Sequence, residues 1–322
     1  MESEILDIKS ILETMQTEKK RKRKVNEIIS KTAEVIVKDK QSLSKKICLS
    51  QASVDRDNHY LIPQGMIWSN NSCAYDSVFT VLFSIWSHDK NLWNYNFERI
   101  DNIFIKMLSD GFEDVDNNLK TLERIRDNVR QLLHTYFPQT MAFGHFTSIE
   151  NIFSALLNTS YPVQTVIFTC HNNHVRQMND SYSLVLSSGT SCYESTNEWV
   201  LRREEETRHL CSICERPIFI KYSFTEKPSL IVFEFGNQVL HIEFLIDLHP
   251  NYVQHKMKLA GVIYYGQHHF TAQIILPDGQ IWFYDGIATG TNLIYCGSIH
   301  HNPPDMSHCR GKQASAAIYI CA

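Results

Sequence analysis

Little in this 322-residue sequence is in excess. Charge of one sign is missing: 31 Lys and Arg face 35 Asp and Glu, so no global field favours nucleic acid or an acidic surface. Long apolar runs are missing too, and none approaches the ~20 residues needed to span a bilayer. The opening Met1-Glu2-Ser3-Glu4 lacks the basic-then-apolar pattern of a secretory signal. Nine cysteines, odd in number and irregularly spaced, do not make a disulfide framework. The expectation is an intracellular protein, nuclear or cytoplasmic, with reduced thiols. In that setting the cysteines read as metal ligands or catalysts. No direct binding of nucleic acid or membrane is expected, and no internal repeat is visible.

Residues 1 to about 50 also lack glycine, proline and aromatics. They carry the run Lys19-Lys20-Arg21-Lys22-Arg23-Lys24 and read as a basic, partly helical or disordered segment, with the run a candidate nuclear-import signal. The remainder, 51 to 322, reads as the globular part, and 43% hydrophobic composition is enough for a sizeable core.

What is present is ordered in two halves. Cys73 to Trp86 is apolar on most faces and predicts a buried helix. Residues 92 to 160 read as helical and polar-faced. After Tyr161 come short β-branched and aromatic runs separated by turn-formers: VQTVIFT, PIFIKYSF, SLIVFEF, VLHIEFLI, KLAGVIYY, HFTAQIIL, QIWFYDG and AAIYI. Helices first and strands second give an α+β class.

Three patches carry chemistry. In NNSCAYDS, Cys73 sits at the start of the buried helix, where free N–H groups and the dipole favour a thiolate. Asn70 and Asn71 are candidate donors for an oxyanion. In HHFTAQIILPDGQIWFYDG, His269 and Asp285 lie on neighbouring strands of a hairpin. A two-residue turn at Asp278-Gly279 would pair Ala272 with Asp285 and leave His269 about 10 Å away along the strand. A three-residue loop, Leu276 to Asp278, would set His269 opposite Asp285, and this register is favoured. A strand beginning at His268 would point His269, Thr271 and Gln273 to a polar cleft and His268, Phe270, Ala272 and Ile274 to the core. That selects His269 over His268 as base. The third patch is a pair of knuckles, Cys170-x3-His174 and Cys211-x2-Cys214, which suits a structural Cys3His zinc site. His171, Cys192 and His209 compete as ligands. Cys48, Cys296, Cys309 and Cys321 read as ordinary thiols.

Cys, then His, then Asp, with the nucleophile on a helix and the others on a sheet, is the order of papain-like cysteine proteases. NNSCAYDS, with Ser77 four residues after Cys73, resembles the cysteine box of ubiquitin-specific peptidases. His269-Phe270, Trp282, Tyr284 and Asp285 resemble their histidine box, and ASAAIYI resembles their final strand. The resemblance spans about 60 to 322. It implies a papain-like fold of helical thumb, β palm and zinc-ribbon fingers, with the ribbon inserted at about 163–224. It also implies a Cys73–His269–Asp285 isopeptidase acting on ubiquitin or a ubiquitin-like modifier, with structural zinc and no catalytic cofactor. Trp68 stands where the family has its oxyanion Asn, and His268 where it has Gly. Asp76 replaces an Asn and, with Trp68, resembles the divergent branch that acts on SUMO. Two rivals remain: a catalytically dead binding module of the same fold, and a transglutaminase-like Cys-His-Asp enzyme.

Overall fold

The apolar run after Cys73 forms a single helix, α1 (Cys73–His88), in which every residue from Cys73 to Trp86 is buried. A computed structural model describes residues 62–174, 176–187, 192–201, 204–248, 256–300 and 303–322. The basic run and Cys48 lie outside the described residues. Four more helices follow: α2 (Lys90–Ile100), α3 (Ile103–Asp116), α4 (Leu122–Tyr136) and α5 (Ile149–Leu156). Each opens on a side chain that accepts a backbone N–H of the first turn: Asp89, Asn102, Thr121 and Ser148 respectively. None of the described helices is long and apolar enough to cross a membrane.

Among the described residues, thirteen strands then build two sheets. The smaller holds β1 (Gln164–Cys170), β2 (Arg176–Ser181), β4 (Glu204–Leu210) and β5 (Pro217–Phe224) in the order β2-β1-β5-β4. The larger runs β11-β10-β9-β8-β13-β6-β3. Its strands are β3 (Val185–Ser187), β6 (Leu230–Glu234), β8 (Lys256–Gly266), β9 (His269–Ile275), β10 (Gln280–Tyr284), β11 (Ile294–Ser298) and β13 (Lys312–Cys321). β7 (Leu245–Asp247) adds to β8, and β12 (His308–Cys309) to β13. The chain's last strand is therefore central.

Both faces of the large sheet are covered. Leu230, Val232, Ile263, Ala272, Ile274 and Ile318 join the helices in one core. Their strand neighbours Ile231, Phe233, Val262, Ile275 and Tyr319 face a second core, which includes Trp199 of α6 (Thr196–Leu201). Double burial explains why these strands read as continuous apolar runs rather than alternating ones. α1 lies directly on β8 and β9. At Gly261 a Cβ would meet Val81 at 2.6 Å, so the helix sits closer than any side chain there allows.

Two expectations change. Of VLHIEFLI, only Leu245 and Ile246 lie in a strand, β7. The middle of the run is held by α6 instead: the Glu243 carboxylate accepts from Thr196 Oγ1 (2.5 Å) and the Asn197 N–H (3.1 Å), while Tyr319 donates to the Glu243 carbonyl (2.6 Å). The polar face expected of residues 92–160 also contains buried cations. α4 turns Arg126 and Arg130 inward beside Leu122, Ile125, Val129 and Leu133.

Candidate active site

The β9–β10 hairpin brings His269 to Asp285, with Nε2 2.8 Å from Oδ1. Neither register expected from the sequence occurs. Ile275 pairs with Ile281 and Ala272 with Tyr284. Pro277, Asp278 and Gly279 form the loop, closed by Gly279 N–H to Leu276 O (2.8 Å) and Leu276 N–H to Gln280 O (2.9 Å). The reason is local. Proline favours the second position of the turn, and Gly279 takes φ +82°, which side chains resist. The loop is thus one residue later than the favoured register required. His269 and Asp285 become diagonal neighbours on one face, a separation that an imidazole and a carboxylate bridge without direct opposition.

Asp285 is itself anchored. Its Oδ1 also accepts the N–H groups of Ile287 (3.0 Å) and Ala288 (3.2 Å). Burial works against its charge, but the His269 hydrogen bond and these two N–H groups outweigh it, and the carboxyl is held below its ordinary value. An ionised Asp285 accepts, so His269 Nε2 carries the proton and Nδ1 remains the basic nitrogen. His268 does not share the strand. It is a turn residue at φ +58°, with its Nδ1 3.5 Å from Tyr265 Oη. The polar neighbours of His269 on β9 do not line a cleft either. Thr271 is fully buried, and Gln273 is buried with its Oε1 accepting from Tyr264 (2.6 Å).

Cys73 opens α1 beneath this hairpin, and the backbone N–H of Phe270 lies against its sulfur. Among the described residues no hydrogen bond joins that sulfur to the His269 ring. Cys73 is 3% exposed. Burial raises the thiol above its ordinary value and the Asp76 charge adds to this. The N–H groups of Phe270, Ala74 and Cys73 itself pull down without offsetting the rise. The helix start does not, therefore, supply a resting thiolate as its position suggested. Desolvation outweighs the nearby N–H groups.

The loop before Cys73 is bound from both sides. Asn70 and Asn71 take φ +49° and +57°, a region asparagine tolerates. Asn71 Nδ2 is committed to Gly144 O (2.7 Å), while Asn70 is exposed. Trp68 N–H reaches Gly286 O (3.0 Å) and Tyr284 donates to Met66 O (2.8 Å), which ties the loop to the Asp285 turn. Below it lie the arginines of α4. Arg126 Nη1 donates to Asp76 Oδ1 (2.9 Å) and Ile67 O (2.7 Å), and its Nε to Asp127 Oδ1 (2.8 Å). Ser72 donates to Asp76 Oδ2 at 2.5 Å. Arg130 Nη2 donates to Asn70 O (2.7 Å), and its guanidinium stacks 4.4 Å from the Phe143 ring centre. Sequence reading missed both arginines. The signal available was a pair of cations four apart, set among the apolar positions of a helix.

Ser72 has no side-chain cap to the helix, because its hydroxyl serves Asp76 and the Ser69 N–H. The first-turn N–H groups of α1 therefore receive no side-chain cap from Ser72.

At one end of the small sheet the two knuckles meet. β1 pairs with β5, Cys170 opposite Ile218, so the β1–β2 and β4–β5 turns sit side by side. The ligand atoms of Cys170, His174, Cys211 and Cys214 lie within 4.8 Å of one another. The sulfurs of Cys170 and Cys214 are 3.8 Å apart, matching the edge of a tetrahedron with metal–sulfur bonds of about 2.3 Å. Three thiols and an imidazole are a donor set that fits zinc. His171 packs on Phe219 instead, and Cys192 and His209 are exposed outside the cluster.

No family description and no curated protein matches this sequence. Solved structures do. A chain of the SAGA Ubp8/Sgf11/Sus1/Sgf73 DUB module bound to ubiquitin aldehyde superposes with a TM-score of 0.51 at 11% identity, over 80% of this chain and 69% of that one. A chain of the same module bound to monoubiquitin gives 0.52 at 12% identity, over 90% and 75%. At such identities the likeness is one of architecture, and the fold of this chain is of the ubiquitin-specific-peptidase type.

Proposed function

We propose that this chain is a thiol isopeptidase that removes ubiquitin or a ubiquitin-like modifier from protein lysines, with Cys73 as nucleophile, His269 as base and Asp285 as its orienter. The observation that carries the reading is the 2.8 Å His269–Asp285 pair beside a thiol that opens a buried helix. His269 Nδ1 takes the Cys73 proton as the sulfur attacks the isopeptide carbonyl. Burial raises the Cys73 thiol above its ordinary value, so this reading assigns His269 to remove its proton. The uncapped N–H groups at the start of α1, with the exposed Asn70 amide, stabilise the oxyanion. Asn71 is occupied by Gly144 and serves the loop. The imidazolium protonates the leaving lysine amine, and water activated by His269 hydrolyses the thioester.

The Cys170/His174/Cys211/Cys214 cluster is proposed to hold a structural zinc, since four protein ligands close its coordination. Residues 163–224 then form a zinc-ribbon insertion in a catalytic unit of 51–322, and 1–50 a basic appendage. Reduced thiols at both sites fit an intracellular setting. Ubiquitin is the favoured modifier, as the solved neighbours are bound to it. SUMO rests on Asp76 and Trp68 alone.

A dead binding module is the second reading. The 3% exposure of Cys73, and Trp68 in the place of an oxyanion amide, favour it. Ubiquitin- and SUMO-propargylamide probes separate the two. An active thiol gains the probe's mass on Cys73. No adduct with either probe, from folded protein that binds a modifier, would establish the binding module.

A further inference from the structure

The turn that presents His269 is built from the wrong residues. Gly266 and His269 are paired, and Gln267 and His268 close the hairpin at φ +55° and +58°. Such two-residue turns are normally Asn-Gly or Gly-Gly, because side chains resist the left-handed region. Something must hold this one closed.

Lys312 is placed to do so. It belongs to β13, which is separated from β9 by β8. Its Nζ nevertheless donates to Gly266 O (3.2 Å) and His269 O (2.9 Å), the two carbonyls at the mouth of the turn. The route is open because residue 266 is glycine: a Cβ there would meet Lys312 Cγ at 3.0 Å. The stem lies across the end of β8 and the ammonium spans to β9. Burial lowers the affinity of this amine for its proton, while the charge of Asp285 works to retain it. We propose that Lys312 is a positioning residue, a cationic latch that holds the strained β8–β9 turn closed and keeps the His269 imidazole on Asp285.

The inference rests on the reading of His269 as the base, but its first test needs no activity. In protein with 15N/13C-labelled histidine, the His269 Nε2–H signal, assigned by its loss in His269→Gln, reports the bond to Asp285. In Lys312→Met this signal should broaden away at 25 °C, and Lys312→Arg should retain it. Gln267→Asn relieves the turn and should return the signal in the Lys312→Met background. A sharp, unshifted signal in Lys312→Met overturns the latch, as does failure of Gln267→Asn to restore it. In hydrolysis of a fluorogenic modifier conjugate, Lys312→Met should lower kcat at least tenfold with KM within threefold, and Gln267→Asn should recover most of it. An unchanged kcat, or a loss confined to KM, also overturns the proposal. Protein that hydrolyses nothing yet shows the NMR pattern keeps the latch and removes the isopeptidase.

Discussion

Replacing Arg126 by Met tests how the loop before Cys73 is held. Arg126 is 2% exposed and Asp76 is fully buried. The guanidinium is the only cation in contact with that carboxylate among the described residues, at 2.9 Å. Methionine fills much of the volume but leaves the carboxylate unpaired, a change that costs about 3–5 kcal/mol in buried pairs. That is a third or more of the stability of many domains. The two partners respond differently to burial. Desolvation works against Arg126, but Asp127 and Asp76 together keep its charge. Asp76 has one cation in contact, Arg126, with a weaker pull from Arg130, and burial still pushes its carboxyl up to about 7. Because the folded value is raised, its contribution is full below about pH 4, falls as pH rises, and levels off above 7. Without Arg126 the carboxyl rises further. The variant should go on losing roughly 1.4 kcal/mol per pH unit above 7, where the parent protein has levelled off. Urea unfolding at pH 6 and 8 measures both. Arg126→Met/Asp76→Asn removes the orphaned charge and should recover at least about 2 kcal/mol of the loss at pH 8. A single variant costing under about 1 kcal/mol at pH 8, or a double variant no better than the single, would refute the account.

His269→Ala should lower kcat at least ~100-fold, the usual contribution of a general base, and His268→Ala much less; a larger loss at His268 reverses the assignment. Asp76→Asn should lower the Cys73 thiol pKa by removing a charge that raises it, read from the pH dependence of alkylation at residue 73. Cys211→Ser should release about one metal ion per chain, as expected when a structural site loses a ligand, with a lower Tm. Purified parent protein without zinc by elemental analysis would remove that site. Glu234 is buried, its Oε1 has no partner among the described atoms, and burial raises its carboxyl to about 7. Glu234→Gln should therefore stabilise the protein above pH 7, by an amount on the order of 3 kcal/mol, and not below pH 4.5; a gain at acid pH would contradict the sign.

The sequence by itself determined whatever depends on short-range pattern. The stretch after Cys73, apolar on most helical faces, predicted the buried helix that begins there. Two Cys/His pairs at knuckle spacing, each beside a strand, pointed to Cys170, His174, Cys211 and Cys214 as a cluster, and the fold brings them together. His269 and Asp285 were legible as a pair, yet the register between them was not. It turned on whether Gly279 or Asp278 closed the loop, a difference of one residue in a left-handed position. The polar strands β2 and β4 carried little apolar signal and emerge only because neighbours pair with them. Tertiary structure alone decided the rest. Arg126, Arg130 and Lys312 look like ordinary surface cations in the sequence. Only the packing of α4 under the Cys73 loop, and of β13 beside β8, buries their stems and aims their charges. The same burial outweighed the nearby N–H groups at Cys73, because desolvation depends on everything that surrounds a group and local sequence specifies only its nearest part.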